Sequence, residues 1–372
     1  MTKTKQKYNL LIIMMTTITF LVCNLIAINF KDLNNRIVNK YVIVFIFCIG
    51  IALIKKFRKV NLESHKGLRT KIFILIWIAL MSSVLISQIV NEELNIINLF
   101  ILTCIIPVFF FKKESYQIDT YLKIGAILNI IPLIAVLKEI NSIGILIAFI
   151  GIMSINFSIK KFVEKGKLIQ YLIIVICFTF LILMTKSRTA LLAFLTVGGL
   201  NYFYIVFKNK IKIKTIMISL LIILILILIG PKIYDLLNKV IFNKYVASQL
   251  DMTSGRSEMW QEIINDDISL FGYGYNYFLN KFGKGDAHNM FFQVLGHYGI
   301  ISFILFIGIS IYLLIRAIKK KDLEAINFFL CYYMIGMFEN LLFLDTRMMM
   351  CNILFFFYIG NVLKTKKIGE KT

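Results

Sequence analysis

The sequence predicts an all-α integral membrane protein of about twelve transmembrane helices, with both termini cytoplasmic and one large external loop between helices nine and ten. Three observations predict it. Of 372 residues, 59% are hydrophobic and 17% charged, against roughly 45–50% and about 25% in soluble domains. Apolar runs of the roughly 20 residues that cross a hydrocarbon core recur along the chain. Lys and Arg are rich in every second connecting segment, as they are when they collect on the cytoplasmic side. A soluble globule is excluded.

The spans fall at residues 8–30, 38–54, 72–90, 94–111, 120–137, 140–159, 168–184, 189–207, 215–234, 291–315, 323–344 and 346–363. The first follows Lys3, Lys5 and Lys7, as a signal peptide would. Its 23 residues lack a small-residue cleavage site, so a retained helix is expected. With the N-terminus inside, the cytoplasmic segments hold 28 Lys and Arg against 13 outside, while 5 acids lie inside and 12 outside. The net charge of +22 is thereby assigned to the inner membrane face, and no nucleic acid is needed to explain it.

The six cysteines, Cys23, Cys48, Cys104, Cys177, Cys331 and Cys351, all fall in expected helices and form no CxxC pair. Neither a disulfide framework nor a zinc site is indicated. With no internal repeat and no linker, residues 1–372 read as a single polytopic membrane domain.

Most connections are short, but residues 235–290 form a 56-residue external segment with seven acids. Long loops of this kind are usually functional or disordered. Trp260, Phe271, Tyr273, Tyr275, Tyr277, Phe278 and Phe282 are too many aromatics for a solvated tether. Within it, SGRSEMWQEIINDD predicts a short amphipathic helix capped by Ser254, with Met259, Trp260, Ile263 and Ile264 on one face. Arg256 precedes Trp260 by four residues. It either stacks on that indole at a membrane surface or is aimed at an anion.

In LFGYGYNYF, Gly272 and Gly274 permit a tight backbone, and the tyrosines offer flat faces that suit either sugars or the interfacial belt of a membrane protein. DAHNMFFQVLGHYG then carries Asp286, His288, Asn289 and His297. A histidine at a helix mouth is commonly an interfacial hydrogen-bonder. Its imidazole nevertheless makes His288 the best general-base candidate in the chain.

TKSRTALLAFL sets Lys186 and Arg188 at the external end of the eighth span, either snorkelling to water or recognising phosphate through the planar Arg fork. Glu339 and Asn340 lie inside the eleventh span. An ionised group deep in lipid costs about 2.5–3.5 kcal/mol on insertion scales, so Glu339 is expected to face a cavity or a partner, with His297 at comparable depth. Arg347, beside Asp345, is a third external Arg.

Taken in order, SRTALLAFL, SGRSEMWQEIINDDISLFGYGYNYF and AHNMFFQVLGHYGIIS resemble the O-antigen ligase and polymerase superfamily over residues 185–305. The family pattern of a Ser-Arg pair, an Arg before an aromatic, a GxG turn and a His-Asn pair maps onto Ser187 and Arg188, Arg256 with Trp260, Gly272 and Gly274, and His288 and Asn289.

The resemblance implies metal-independent, cofactor-free glycosyl transfer at the external face of the bacterial cytoplasmic membrane. The implied donor is a glycan on undecaprenyl pyrophosphate. The acceptor is another lipid-linked repeat unit in the polymerase branch, giving capsule, exopolysaccharide or O-antigen, and a lipid A core in the ligase branch. A flippase and a chain-length regulator are the implied protein partners. On this reading Arg188 and Arg256 hold pyrophosphate and His288 deprotonates the acceptor. Asn289, Tyr273, Tyr275, Trp260, Arg347 and Glu339 contact substrate, and a single displacement inverts the anomeric centre. A twelve-helix secondary transporter or flippase is the rival, but transporter folds often show repeated halves, and none is seen here.

Overall fold

A computed structural model describes residues 13–14, 16–21, 68–93, 116–135, 141–209, 217, 256–266, 269–341 and 348–363. All elements among them are helical: α1 (Leu68–Val90), α2 (Tyr116–Leu128), α3 (Ile130–Ala135), α4 (Asn141–Lys165), α5 (Leu168–Met184), α6 (Arg188–Asn209), α7 (Arg256–Asn265), α8 (Tyr277–Phe282), α9 (Met290–Lys319), α10 (Leu323–Gly336) and α11 (Met349–Leu363). Segments within α1, α4, α6 and α9 are long and apolar enough to cross a membrane. This is a multi-pass membrane architecture. The expected spans 38–54 and 94–111 lie outside the described residues, as do nearly all of 215–234 and most of 8–30.

Helix α4 is the central post. Residues 143–153 are buried on every side, as expected for a helix that is apolar all round. Gly144 and Gly151 remove two side chains from its surface. A Cβ at Gly151 would lie 2.6 Å from Phe194 and 2.9 Å from Phe178, so α5 and α6 reach the α4 backbone directly. By contrast, α5 presents Ile169, Ile173, Ile176, Phe180 and Met184 outward. Their spacing of three to four residues makes one greasy stripe on the outside of the bundle.

Three expected spans differ in detail. The 120–137 span is two helices, because Pro132 supplies no N–H to the helical ladder. Asn129 bridges the gap: its N–H donates to Ala126 O at 3.1 Å, and its side-chain amide donates to Gly125 O at 2.7 Å. The 291–315 span is broken at Gly299, whose φ of 80° and ψ of −177° are not helical. In the 323–344 span the helix that begins at Leu323 ends at Gly336. Hydropathy reads through both breaks, since Gly is ordinary in membrane helices and Met337 and Phe338 are apolar.

A buried chain of amides ties the bundle together near the start of α10. Asn201 of α6 donates to Asn327 of α10 at 2.7 Å. Asn327 donates to Asn156 of α4 at 2.9 Å, and Asn156 donates to Tyr358 of α11 at 2.9 Å. All three amides are buried, and each finds the partner that burial demands. Nearby, Lys123 of α2 pairs with Glu324 of α10.

Candidate active site

The opposite end of the bundle gathers the functional candidates. Helix α5 ends at Thr185, whose N–H and hydroxyl both bond Ile182 O. Lys186 then reverses the chain at a φ of 56°, and α6 begins at Arg188. Gly144 makes room for this turn. A Cβ there would run into Ser187 and Thr185, so the turn seats itself against the head of α4. Arg188 is half-buried at the start of α6, within electrostatic reach of Arg256.

Helix α7 buries Met259 and Ile263. Together with Tyr277, Phe278, Ala287 and Leu295 they form a small core of the external segment, packed on the start of α9. Ile264, expected on the same face, is 56% exposed, one position past the buried stripe. Ser254 lies outside the described residues. The first residue of α7 is Arg256, and it reaches across to the end of α10. Its Nη1 donates to Phe338 O at 2.8 Å, and its Nη2 lies 3.7 Å from Glu339 Oε1. A helix C-terminus leaves carbonyls without partners and carries partial negative charge, so it is a natural seat for a guanidinium. Arg256 thus reaches Phe338 and Glu339 in the turn that follows α10.

Trp260 has a different task. Its Nε1 donates to Ala287 O at 2.8 Å, and its ring stacks on Phe292 with centroids 5.6 Å apart. The N–H of Ala287 is also engaged, donating to Gln293 Oε1 at 2.6 Å. The peptides flanking Ala287 are therefore pinned from both sides. His288 follows at a φ of 49°, unusual for a non-glycine residue, with its N–H on Asp286 Oδ1 at 2.9 Å. Asn289 next caps α9, accepting from Phe291 N and Phe292 N, while its Nδ2 donates to Met337 O at 2.8 Å.

These contacts bring His288 to the end of α10. Its Nδ1 stands 3.2 Å from Asp286 Oδ1 and 3.7 Å from Glu339 Oε2. The other Glu339 oxygen faces Arg256 and accepts from Asn141 Nδ2 at 3.4 Å. Glu339 thus bridges the histidine and the arginine. It lies in the turn beyond α10 and not inside a helix, which corrects the expected placement within the eleventh span. His297, the partner proposed for it, is fully buried elsewhere. The His297 ring lies 3.0–3.2 Å from Gln293 Nε2 and is flanked by Phe278, Tyr275 and Tyr298.

The GxG turn completes the region. Tyr273 N donates to Gly296 O at 2.9 Å and Gly274 N to His297 O at 3.2 Å, taking two carbonyls that the break at Gly299 frees from the helical ladder. Ser87 of α1 also donates to His297 O, at 2.9 Å. Gly272 has a φ of 74°, and any Cβ on it would strike the backbone of His297 and Gly299. Only glycine fits. Tyr273 stacks on Tyr277 at 4.8 Å, Tyr275 leans on His297 at 5.5 Å, and both remain about two-fifths exposed at 39% and 40%. Arg347 lies outside the described residues.

Beneath this turn, Asp266 binds Lys281 and the Tyr277 hydroxyl. Those two hydrogen bonds, Lys281 first, hold its carboxyl below the usual carboxylate range. Burial, followed by the Asp266 hydrogen bond, pushes the Tyr277 hydroxyl up.

Residues 173–307 match the family model described as O-antigen ligase. This agrees with the O-antigen ligase and polymerase superfamily and points to a membrane enzyme that transfers glycans. No curated protein matches the chain. The matched stretch contains Arg188, Arg256, Gly272, Gly274, His288 and Asn289. Asn141 and Glu339 lie outside it and join the cluster only through the fold. Asn141 and Gln293 were missed from sequence. The first has no motif around it. The second stands one turn after Asn289 and one before His297, a spacing that would have found it.

Proposed function

We propose that this chain is a polymerase that joins polyprenyl-pyrophosphate-linked oligosaccharide repeat units into a surface polysaccharide at the external face of the cytoplasmic membrane. The observation that carries this reading is the meeting of Arg256, Glu339 and His288, with Arg188 in electrostatic reach, inside a stretch matched by the O-antigen ligase model. Two guanidinium groups brought together repel, and an anion between them relieves that repulsion. A pyrophosphate is such an anion, and Arg suits it through paired N–H bonds.

The chemistry follows from these groups. The acceptor hydroxyl oxygen attacks the anomeric carbon of the donor sugar, and a new C–O bond forms. The bond from that carbon to the pyrophosphate oxygen breaks, and its electron pair stays on the phosphate. Arg188 and Arg256 stabilise the charge that develops there. The hydroxyl proton passes to His288. Both carboxylates face Nδ1 of His288, so Nε2 is the nitrogen that takes it. A single displacement of this kind inverts the anomeric centre and asks nothing of a metal. Tyr273 and Tyr275 would contact the sugars, with Arg347 as a further substrate contact, while Asn289 and Trp260 are engaged within the protein and would shape the site from behind.

The family description favours a second reading in which the acceptor is a lipid A core. One experiment serves both. In cells carrying His288→Ala, polymer length and lipid-linked intermediates are measured together. Single repeat units accumulating on external carriers support polymerisation. Preformed long chains left on the carrier support ligation. Accumulation of single units on the inner leaflet means that transport has failed, and it would sink both.

A further inference from the structure

We propose that Glu339 is a positioning residue that couples donor binding to the base: it holds Arg256 while the site is empty and is left to His288 alone once pyrophosphate takes the guanidinium. The inference rests on the transfer reading above. Its ground is geometric. Glu339 has one oxygen toward each partner, Oε1 at 3.7 Å from Arg256 Nη2 and Oε2 at 3.7 Å from His288 Nδ1. Neither contact is a tight bidentate pair, so neither holds the carboxylate against a better competitor.

Pyrophosphate is the better competitor for Arg256. When the guanidinium turns to it, Oε1 keeps only the neutral amide of Asn141, 3.4 Å away and fixed at the head of α4. Asn141 keeps the carboxylate from following the arginine. The negative charge of Glu339 is then undivided and faces the imidazole at the step in which His288 accepts a proton. The imidazolium so formed is stabilised by that carboxylate, as in other base and carboxylate pairs. In the empty site the same charge is shared with Arg256, and the base has less support. Acceptor activation therefore follows donor capture.

The test uses the purified full chain in lipid nanodiscs with undecaprenyl pyrophosphate as the binding probe, and polymer formation in cells as the activity. Glu339→Gln should bind the probe about three- to fivefold more tightly, since Arg256 is released, while polymer formation falls about 10- to 100-fold. A merely structural role would weaken both. The tightening should vanish in an Arg256→Ala background. If it persists there, it reflects only removal of a repelling carboxylate, and the coupling is overturned. Weaker or unchanged binding by Glu339→Gln with a normal melting temperature overturns it too. Should Glu339→Gln fail to fold, Glu339→Asp, which withdraws the carboxylate by one methylene, should shift both readouts the same way by a smaller factor. Failure of the wild-type chain to bind the probe would instead remove the transfer reading itself.

Discussion

Trp260 donates its indole N–H to the carbonyl of Ala287 at 2.8 Å, and Ala287 is the residue immediately before His288. The side chain that sequence marks as an aromatic partner of Arg256 thus supports the backbone of the candidate base. Trp260→Phe keeps the stack on Phe292 and removes only the donor. An acceptor left unpaired in a buried place costs about 1–3 kcal/mol, and here that cost falls on a segment already in a sparsely populated conformation. Polymer formation should fall about tenfold, with the protein at normal levels in the membrane. Wild-type yield from Trp260→Phe would show that the Ala287 peptide needs no such support.

Gly299 allows α9 to break, and its φ and ψ lie in a region essentially reserved for glycine. A Cβ there would also meet the backbone of Gly272 and Leu270. Gly299→Ala should therefore destabilise the protein by about 2 kcal/mol or more and disrupt the GxG turn. Gly285→Ala, with open space around it, should stay within about 0.5 kcal/mol. Thermal unfolding in detergent compares the two, and equal melting temperatures would remove the break as a structural requirement.

Asp266 ties α7 to α8 through Lys281 and Tyr277, and its carboxyl is held below the usual range. The folded form therefore binds this proton less readily than the unfolded form. The resulting stabilisation is fully present above the unfolded value of about 3.9 and is lost as pH falls through the lower folded value. The melting-temperature difference between wild type and Asp266→Asn should be constant from pH 7 to about pH 5 and shrink below about pH 4. A difference that grows on acidification has the wrong sign for this account.

Much of the region was legible because its chemistry is local in sequence. Helix α7, the GxG turn and the start of α9 each carry their own residues, and Arg256, His288 and Asn289 announce themselves by type. The join between them was not legible. Depth counted along an uninterrupted helix put Glu339 level with His297, but α10 stops at Gly336 and Glu339 turns toward His288 instead. The break in α9 was hidden for the same reason, since one glycine in an apolar run carries no signal of a non-helical residue. Asn141 was invisible because nothing near it in sequence hints at a carboxylate 198 positions away.

The amide chain from Asn201 through Asn327 to Asn156 and Tyr358 bears on how the protein is put together in the membrane. Helices α4 and α6 are synthesised well before α10 and α11, so Asn156 and Asn201 enter the bilayer without the side chains that later satisfy them. Such polar side chains hydrogen-bond across helices once a partner is alongside. The arrival of α10 and then α11 supplies Asn327 and Tyr358, and a turn of any one helix by a single residue would swing its amide out toward lipid. The same three helices, α4, α6 and α10, lead at their other ends to Asn141, Arg188 and Glu339. Glu339 follows α10 in the chain, so its contacts with Asn141, Arg256 and His288 form only after α10 has been made.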